Sequence, residues 1–265
     1  MKKSPYAVGA EGKTCLSSSI PFCITMLTPS SSGKSSIILL LLRLLDPIPS
    51  CHTHISIDDI PLHEIDRSTL RQRIIAVPQE AVFLPDGTSF MSNLDPLGIS
   101  TELECRAVLE AVSLWGMVAE RGGLGGGMAA DTLSQGQKQL FILARAILRS
   151  RARGRDPRGS SLGAFSRDGG GILLLDEFSS SVDLATDRSM QKLIAEEFAG
   201  YTIVMVSHRL DVVMDFDTVV VMDQGRLVET GRPRVLAKQS GSWFQGLTLV
   251  RESTGNMSGL LTLSD

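Results

Sequence analysis

The sequence predicts an α/β fold with a largely parallel central sheet, and three observations carry that reading. The first is "ILLLDE", residues 172–177, a continuous apolar run that ends in two acids. A central parallel strand, covered on both faces, has that pattern. The second is the return of short apolar runs that end in polar residues, "SIPFCITML" (19–27) and "YTIVMVSH" (201–208), with stretches of helical spacing between them. The third is "MLTPSSSGKSS", residues 26–36, where the end of an apolar run meets a serine-rich loop and then the apolar run "IILLLLRLL" (37–45), which suits a buried helix.

The remaining elements follow along the chain. Residues 1–20 read as an atypical or disordered segment, with nothing strand-like over 1–19. "HISIDDIPL" (54–62) alternates like one strand that ends in a turn. "LRQRIIAVPQE" (70–80) reads as a helix end running into a short strand stopped by Pro78. Residues 101–120 have helical spacing, and a glycine-rich connector, 122–127, follows. "TLSQGQKQLFILARAILR" (132–149) is a helix whose apolar face is Leu140, Ile142, Leu143, Ala146 and Ile147, with Thr132 or Ser134 as its cap. Arginine, glycine and serine dominate 150–171, the composition of a flexible insertion. "DTVVVMDQGRLVETG" (217–231) gives a hairpin turning at Gln224-Gly225, and 251–265 reads as a disordered tail. One main domain over 21–250 results.

Composition excludes several partners. The net charge of -3 argues against bulk attraction to nucleic acid or anionic membrane. The 4 cysteines, Cys15, Cys23, Cys51 and Cys105, include no C-x-x-C pair and read as reduced cytosolic thiols. No apolar run reaches the roughly 18–20 residues of a membrane span, and the richest one carries Arg43. Lys2 and Lys3 are followed by Gly9, Glu11 and Lys13, where a signal peptide needs its apolar core. On these grounds the chain reads as soluble and cytosolic. "CHTH" (51–54) has metal-ligand residue types but no second cluster, and Arg149, Arg151, Arg153, Arg155 and Arg158 read as solvated.

Chemistry concentrates in two places. Gly33, Lys34 and Ser35 fill the second half of the phosphate-loop pattern G-x-x-x-x-G-K-[ST], whereas Thr28 stands at its first glycine. Backbone N–H groups at a helix start wrap phosphates, which makes Ser30, Ser31, Ser32, Gly33, Lys34, Ser35 and Ser36 the nucleotide-binding set. Lys34 would reach the β- and γ-phosphates, and Ser35 would help hold Mg²⁺. An ordinary serine-rich loop matches the same letters, so the flanking strand and helix carry the assignment. At the end of "LLLDE", Asp176 suits a second Mg²⁺ contact and Glu177 could take a proton from an attacking water or orient it. The same acids also fit a strand end that merely faces water.

Further motifs stand in a fixed order: Gln79 in "VPQE", "LSQGQ" at 133–137, "SSSVD" at 179–183 and His208 in "VSHRL". With the loop and the acidic strand end, they resemble the nucleotide-binding domain of ATP-binding cassette (ABC) transporters. "LLRLLDP", "NLDPLG", "ERGG" and "ILRSRARGR" resemble the second, C-terminal such domain of C-subfamily, multidrug-resistance-type transporters. The resemblance implies a P-loop NTPase fold with a helical signature subdomain and an incomplete antiparallel β subdomain. It implies ATP and Mg²⁺ as ligands, with the ion on Ser35, Gln79 and Asp176, and catalytic roles for Glu177, His208 and Lys34. Ser134, Gly136 and Asp183 would belong to a nucleotide site completed by a second such domain, packed head to tail. The other partners would be transmembrane domains and not nucleic acid, which places the chain on the cytoplasmic side of a membrane.

The resemblance also has departures. Thr28 and Ser31 replace glycines; a serine forced to positive φ costs roughly 1 kcal/mol. The family's strands upstream of the loop are not legible in residues 1–27, so a truncated start is expected, with Tyr6 the candidate adenine-stacking ring. These departures motivate a second reading, a degenerate domain that pairs with another ATPase domain without efficient hydrolysis. A third, a DNA-repair or chromosome-structuring ATPase, is opposed by the absence of a heptad run.

Overall fold

The computed structural model describes residues 14–16, 22–27, 34–47, 55–154, 170–178, 182–207 and 210–248. Its first half contains β1 (Thr14–Leu16), β2 (Phe22–Leu27), α1 (Lys34–Leu41), β3 (Ile55–Ile57), β4 (Ile60–Pro61), α2 (Arg67–Arg73), β5 (Ile74–Val77), α3 (Phe90–Leu94), α4 (Glu102–Ala111) and α5 (Trp115–Glu120). The second contains α6 (Gln135–Gly154), β6 (Ile172–Asp176), α7 (Leu184–Glu197), β7 (Thr202–Val206), α8 (Leu210–Val213), β8 (Thr218–Asp223), β9 (Arg226–Gly231) and α9 (Pro233–Leu236).

The main sheet has the order β5-β6-β7-β2-β8-β9. Every neighbouring pair from β5 to β8 is parallel, and β9 alone closes the edge antiparallel to β8. The α/β class and the largely parallel sheet expected from the sequence are therefore what the chain adopts.

Strand alternation explains why "ILLL" is apolar throughout. Leu173 and Leu175 pack into one core with Phe141, Ile147 and Met190 of α6 and α7. Ile172 and Leu174 face the opposite core with Ile38 and Leu41 of α1 and Leu70 of α2. Each such side chain contributes about 1.5–3 kcal/mol on burial, so β6 is anchored from both sides. Beyond it, Gln224 (φ +45) and Gly225 (φ +75) turn β8 into β9, the double positive φ that a two-residue hairpin requires.

Four expectations are corrected. Residues 54–62 are two strands, because Asp58 (φ +51) and Asp59 (φ +63) turn the chain between β3 and β4. Residues 101–120 are two helices, broken at Ser113 (φ +60), where α4 ends. Thr14–Leu16 forms a strand within the segment read as not strand-like, since pairing with β3 supplies what local sequence does not. That pairing is parallel while β3 with β4 is antiparallel, so the smaller sheet, β1-β3-β4, is mixed. Finally, α6 runs to Gly154, into the stretch expected to be an insertion. Arg149, Arg151 and Arg153 are good helix formers and are held there. Arg151 pairs with Glu197 at 2.6 Å, while Arg149 and Arg153 donate to the carbonyls of Arg71 and Ile74. Among the described residues no helix is long and apolar enough to cross a membrane.

Candidate nucleotide site

Strand register builds the first half of the site. Val206 pairs with Met26 on one side and Asp176 on the other, while Val77 pairs with Leu175. The carboxyl ends of β5, β6, β7 and β2 thus finish at nearly one level. Whatever follows them emerges along one edge of the sheet, the usual ligand crevice of an open parallel sheet. Gln79 leaves β5 there and Glu177 leaves β6. The Gln79 side chain donates from Nε2 to Glu177 Oε2 at 3.1 Å, joining residues 98 apart in sequence. Glu177 holds φ at +46°, left-handed backbone that a non-glycine residue adopts at a cost, and its N–H donates to the Val206 carbonyl at 3.0 Å. Phe178, buried behind it, anchors the turn in the core.

Lys34 and Ser35 open α1 immediately after the serine-rich loop, and Ser36 is exposed in its first turn. Thr28, Ser30, Ser31, Ser32, Gly33 and His208 lie outside the described residues, as do Tyr6, the "CHTH" stretch and the serines of "SSSVD". Among the described residues no cluster of three or more His, Cys, Asp or Glu could hold a metal by itself. Mg²⁺ is usually held by one or two carboxylates and substrate phosphates. The half-buried Asp176 and the amide of Gln79 offer oxygen donors of the required hardness.

The second half is built locally. Ser134 caps α6 in a reciprocal box: its Oγ accepts from the Gln137 N–H at 3.2 Å, and its own N–H donates to Gln137 Oε1 at 2.9 Å. Of the two cap candidates it is therefore Ser134, exposed at the start of a 20-residue helix, that serves. Leu133, beside it, is buried. A Cβ on Gly136 would come to 3.3 Å from Val182 Cγ1, so the glycine lets the helix start approach the chain just before α7. Asp183 caps that helix, accepting from the N–H groups of Ala185 and Thr186 at 3.0 Å each. The Thr186 hydroxyl and N–H hold its carboxyl below the usual range. The carboxylate is thus engaged by α7.

Sequence reasoning passed over a residue that ties α6 to the segment following Gln79. Arg145 of α6 donates from Nε to the carbonyl of Asn93 and from Nη1 to that of Val82. Its guanidinium lies 4.9 Å from the Phe83 ring centre and 5.4 Å from that of Phe141. The buried Asn93 in turn accepts from the Leu84 N–H at 2.9 Å and donates to the Ser89 carbonyl at 3.2 Å. Its signal in the sequence was a charge set between the apolar Ile142 and Ala146, which is unremarkable until the partner segment is known. A groove of about 380 Å³ opens beside Arg145, with Val82 and Leu97 exposed on its walls by 73% and 74%.

Comparison with known proteins adds to this geometry. Residues 23–152 match the family model described as ABC transporter. The chain is 57% identical over 219 residues to ABC transporter FGM5 of Gibberella zeae, covering 82% of this chain and 14% of that protein. It is 55% identical over 215 residues to the ABC-type transporter braE of Annulohypoxylon truncatum, covering 81% and 14%. Among solved structures, a bacterial Atm1-family ABC exporter with ATP bound superposes with a TM-score of 0.71 at 26% identity, covering 86% of this chain and 36% of that one. The chain therefore spans about a seventh of the length of the curated relatives it matches.

Proposed function

Since the chain is an ABC transporter nucleotide-binding domain with the P-loop ATPase fold and fungal relatives, we propose that it binds ATP with Mg²⁺ and hydrolyses it to power export by a longer transporter. The observation that carries the reading is the 3.1 Å contact between Gln79 and Glu177 at the sheet edge. It joins a carboxylate and an amide from motifs far apart in the chain, at the sheet edge where β2 also ends before the phosphate loop.

Each residue then has a task. The N–H groups of the loop and of the first turn of α1 wrap the phosphates, and Lys34 neutralises charge on them. Asp176, with Ser35 and Gln79, would hold Mg²⁺, which when bound spreads the charge of the β- and γ-phosphate oxygens. Glu177 accepts the proton of the attacking water or orients it, Gln79 fixes the Glu177 carboxylate, and His208 assists at the γ-phosphate. Ser134 and Gly136 present a hydroxyl and a closely approachable helix start to a nucleotide bound by a second domain packed head to tail. The membrane-spanning partner would meet the groove beside Arg145, whose exposed Val82 and Leu97 offer apolar surface. The "NLDPLG" and "ERGG" stretches favour the C-terminal domain of a C-subfamily transporter, and the presence of Glu177 favours hydrolysis over pairing alone.

The test is Glu177→Gln in the whole chain. Phosphate release should fall roughly 10²–10⁴-fold if Glu177 acts as general base. ATP should still raise the melting temperature, as a ligand that binds the folded state must. An unchanged rate removes Glu177 from the role, and a wild type with no ATP-dependent shift removes the nucleotide site.

A further inference from the structure

Ser134 can serve a nucleotide on another domain only if the helix start stands in a fixed place. Its local contacts do not supply that: the box with Gln137 turns with the helix, and Leu133 is held by apolar packing, which fixes depth better than direction. The polar tethers lie just upstream. The Asp86 carboxylate accepts from the Ala130 N–H at 3.1 Å. Arg121, at the end of α5, donates from Nη1 to Thr132 Oγ1 at 2.8 Å and from Nη2 to the Thr132 carbonyl at 3.3 Å. The Thr132 hydroxyl passes the tether on, donating to the Ala129 carbonyl at 2.7 Å. Arg121 is itself held from behind. The connector after it folds back so closely that a Cβ on Gly126 would lie 2.2 Å from the Arg121 carbonyl oxygen, and Gly126 in turn accepts from the Phe90 N–H at 3.0 Å. A planar fork on a rigid base, gripping both the side chain and the carbonyl of one residue, restrains direction as well as distance.

We propose that Arg121 is a positioning residue for the composite nucleotide site: through Thr132, two residues before Ser134, it sets the direction in which the signature helix start faces the partner domain's ATP. The proposal rests on the functional reading above. Arg121 is not among the residues assigned above to its own domain's nucleotide, so it would act on assembly and turnover and leave binding by the isolated chain alone.

The experiment uses the 265-residue chain in an Glu177→Gln background to retain ATP. Nucleotide affinity of the monomer, the ATP-driven dimerisation constant and the melting temperature are measured for Arg121→Ala, Thr132→Val and the double variant, with phosphate release followed in the Glu177 chain. Dimerisation should weaken about fivefold in Arg121→Ala, the factor expected for roughly one net hydrogen bond, and turnover should fall in step. Monomer affinity should stay unchanged, and the melting temperature should fall only slightly, since the lost tether is exposed. The double variant should be no worse than Arg121→Ala, and Arg121→Lys should recover part of the loss, since it keeps the charge without the fork. Dimerisation equal to wild type in Arg121→Ala overturns the assignment, and so does a loss that tracks melting temperature and monomer affinity. A wild type that binds ATP without dimerising overturns the composite-site reading and this assignment with it, and is told apart by the behaviour of the unsubstituted chain.

Discussion

The sheet edge and the start of α6 reach functional geometry by opposite routes. At the sheet edge, four strands drawn from residues 22 to 206 must be in register before Gln79 can meet Glu177. At α6 the arrangement is written within four residues, Ser134 to Gln137, which cap their own helix. The first is therefore only as sound as the global packing beneath it. The second forms wherever the helix forms, and needs outside help only for its direction. In the pairwise site proposed above, labour would be divided the same way: the half that does chemistry would be built by the whole domain, and the half presented to a neighbour would be built locally.

That contrast can be broken at its strong point first. Leu175→Ala removes a fully buried side chain one residue before Asp176 and should cost about 2–5 kcal/mol, seen as a lower urea midpoint. Catalysis should fail with it under mild denaturant, whereas helicity in α6 should persist longer by hydrogen exchange. Simultaneous loss of both would make the two halves one cooperative unit. Ser134→Ala should cost about 0.5–2 kcal/mol through the lost cap and weaken ATP-driven pairing, with ATP binding by the monomer unchanged. Strain at the sheet edge gives a finer test. With φ at +46°, position 177 should tolerate glycine better than alanine, and Glu177→Gly should be more stable than Glu177→Ala by about 1 kcal/mol in denaturant melts, although both are inactive. Equal stability would mean that the turn relaxes without cost.

The smallest effect is on acid stability and concerns caps alone. The Ser68 hydroxyl, then the Thr69 N–H, hold the Asp66 carboxyl down at about 2, from an ordinary 3.8. A carboxyl depressed by folding stabilises fully above its unfolded value and loses that contribution as pH falls through the folded one. Asp66 should therefore support α2 above about pH 4 and fade toward pH 2, with Asp183 acting in the same direction for α7. The gap in melting temperature between wild type and Asp66→Asn should shrink over that interval. A constant gap would assign the difference to hydrogen bonding without charge.

What was legible in the sequence follows the same division. "ILLLDE" and "LSQGQK" announced β6 and the start of α6, because burial on two faces and a serine cap leave signatures within a few residues. The hairpin at Asp58 and Asp59 was hidden by an alternation that continues across the turn, although two aspartates tolerate left-handed backbone better than most pairs. Ser113 broke a helix whose apolar spacing runs straight through it. Arg121 and Arg145 were not legible as tethers at all, since their partners, Thr132, Val82 and Asn93, sit 11 to 63 residues away and are acceptors only once the fold exists. Strand β1 belongs to the same class, a pairing that its own three residues do not specify.

Arg145 has a mechanical consequence. A helix of 20 residues is a stiff rod of about 30 Å, and this one is pinned near its middle to the carbonyl of Val82, three residues from Gln79. Tilting the rod by its exposed end would drag the pin, and with it the chain that carries Gln79, whose amide donates to Glu177. With the function proposed above, the domain would act as a balance arm with one pan at each nucleotide, and a load on either pan would be felt at the other.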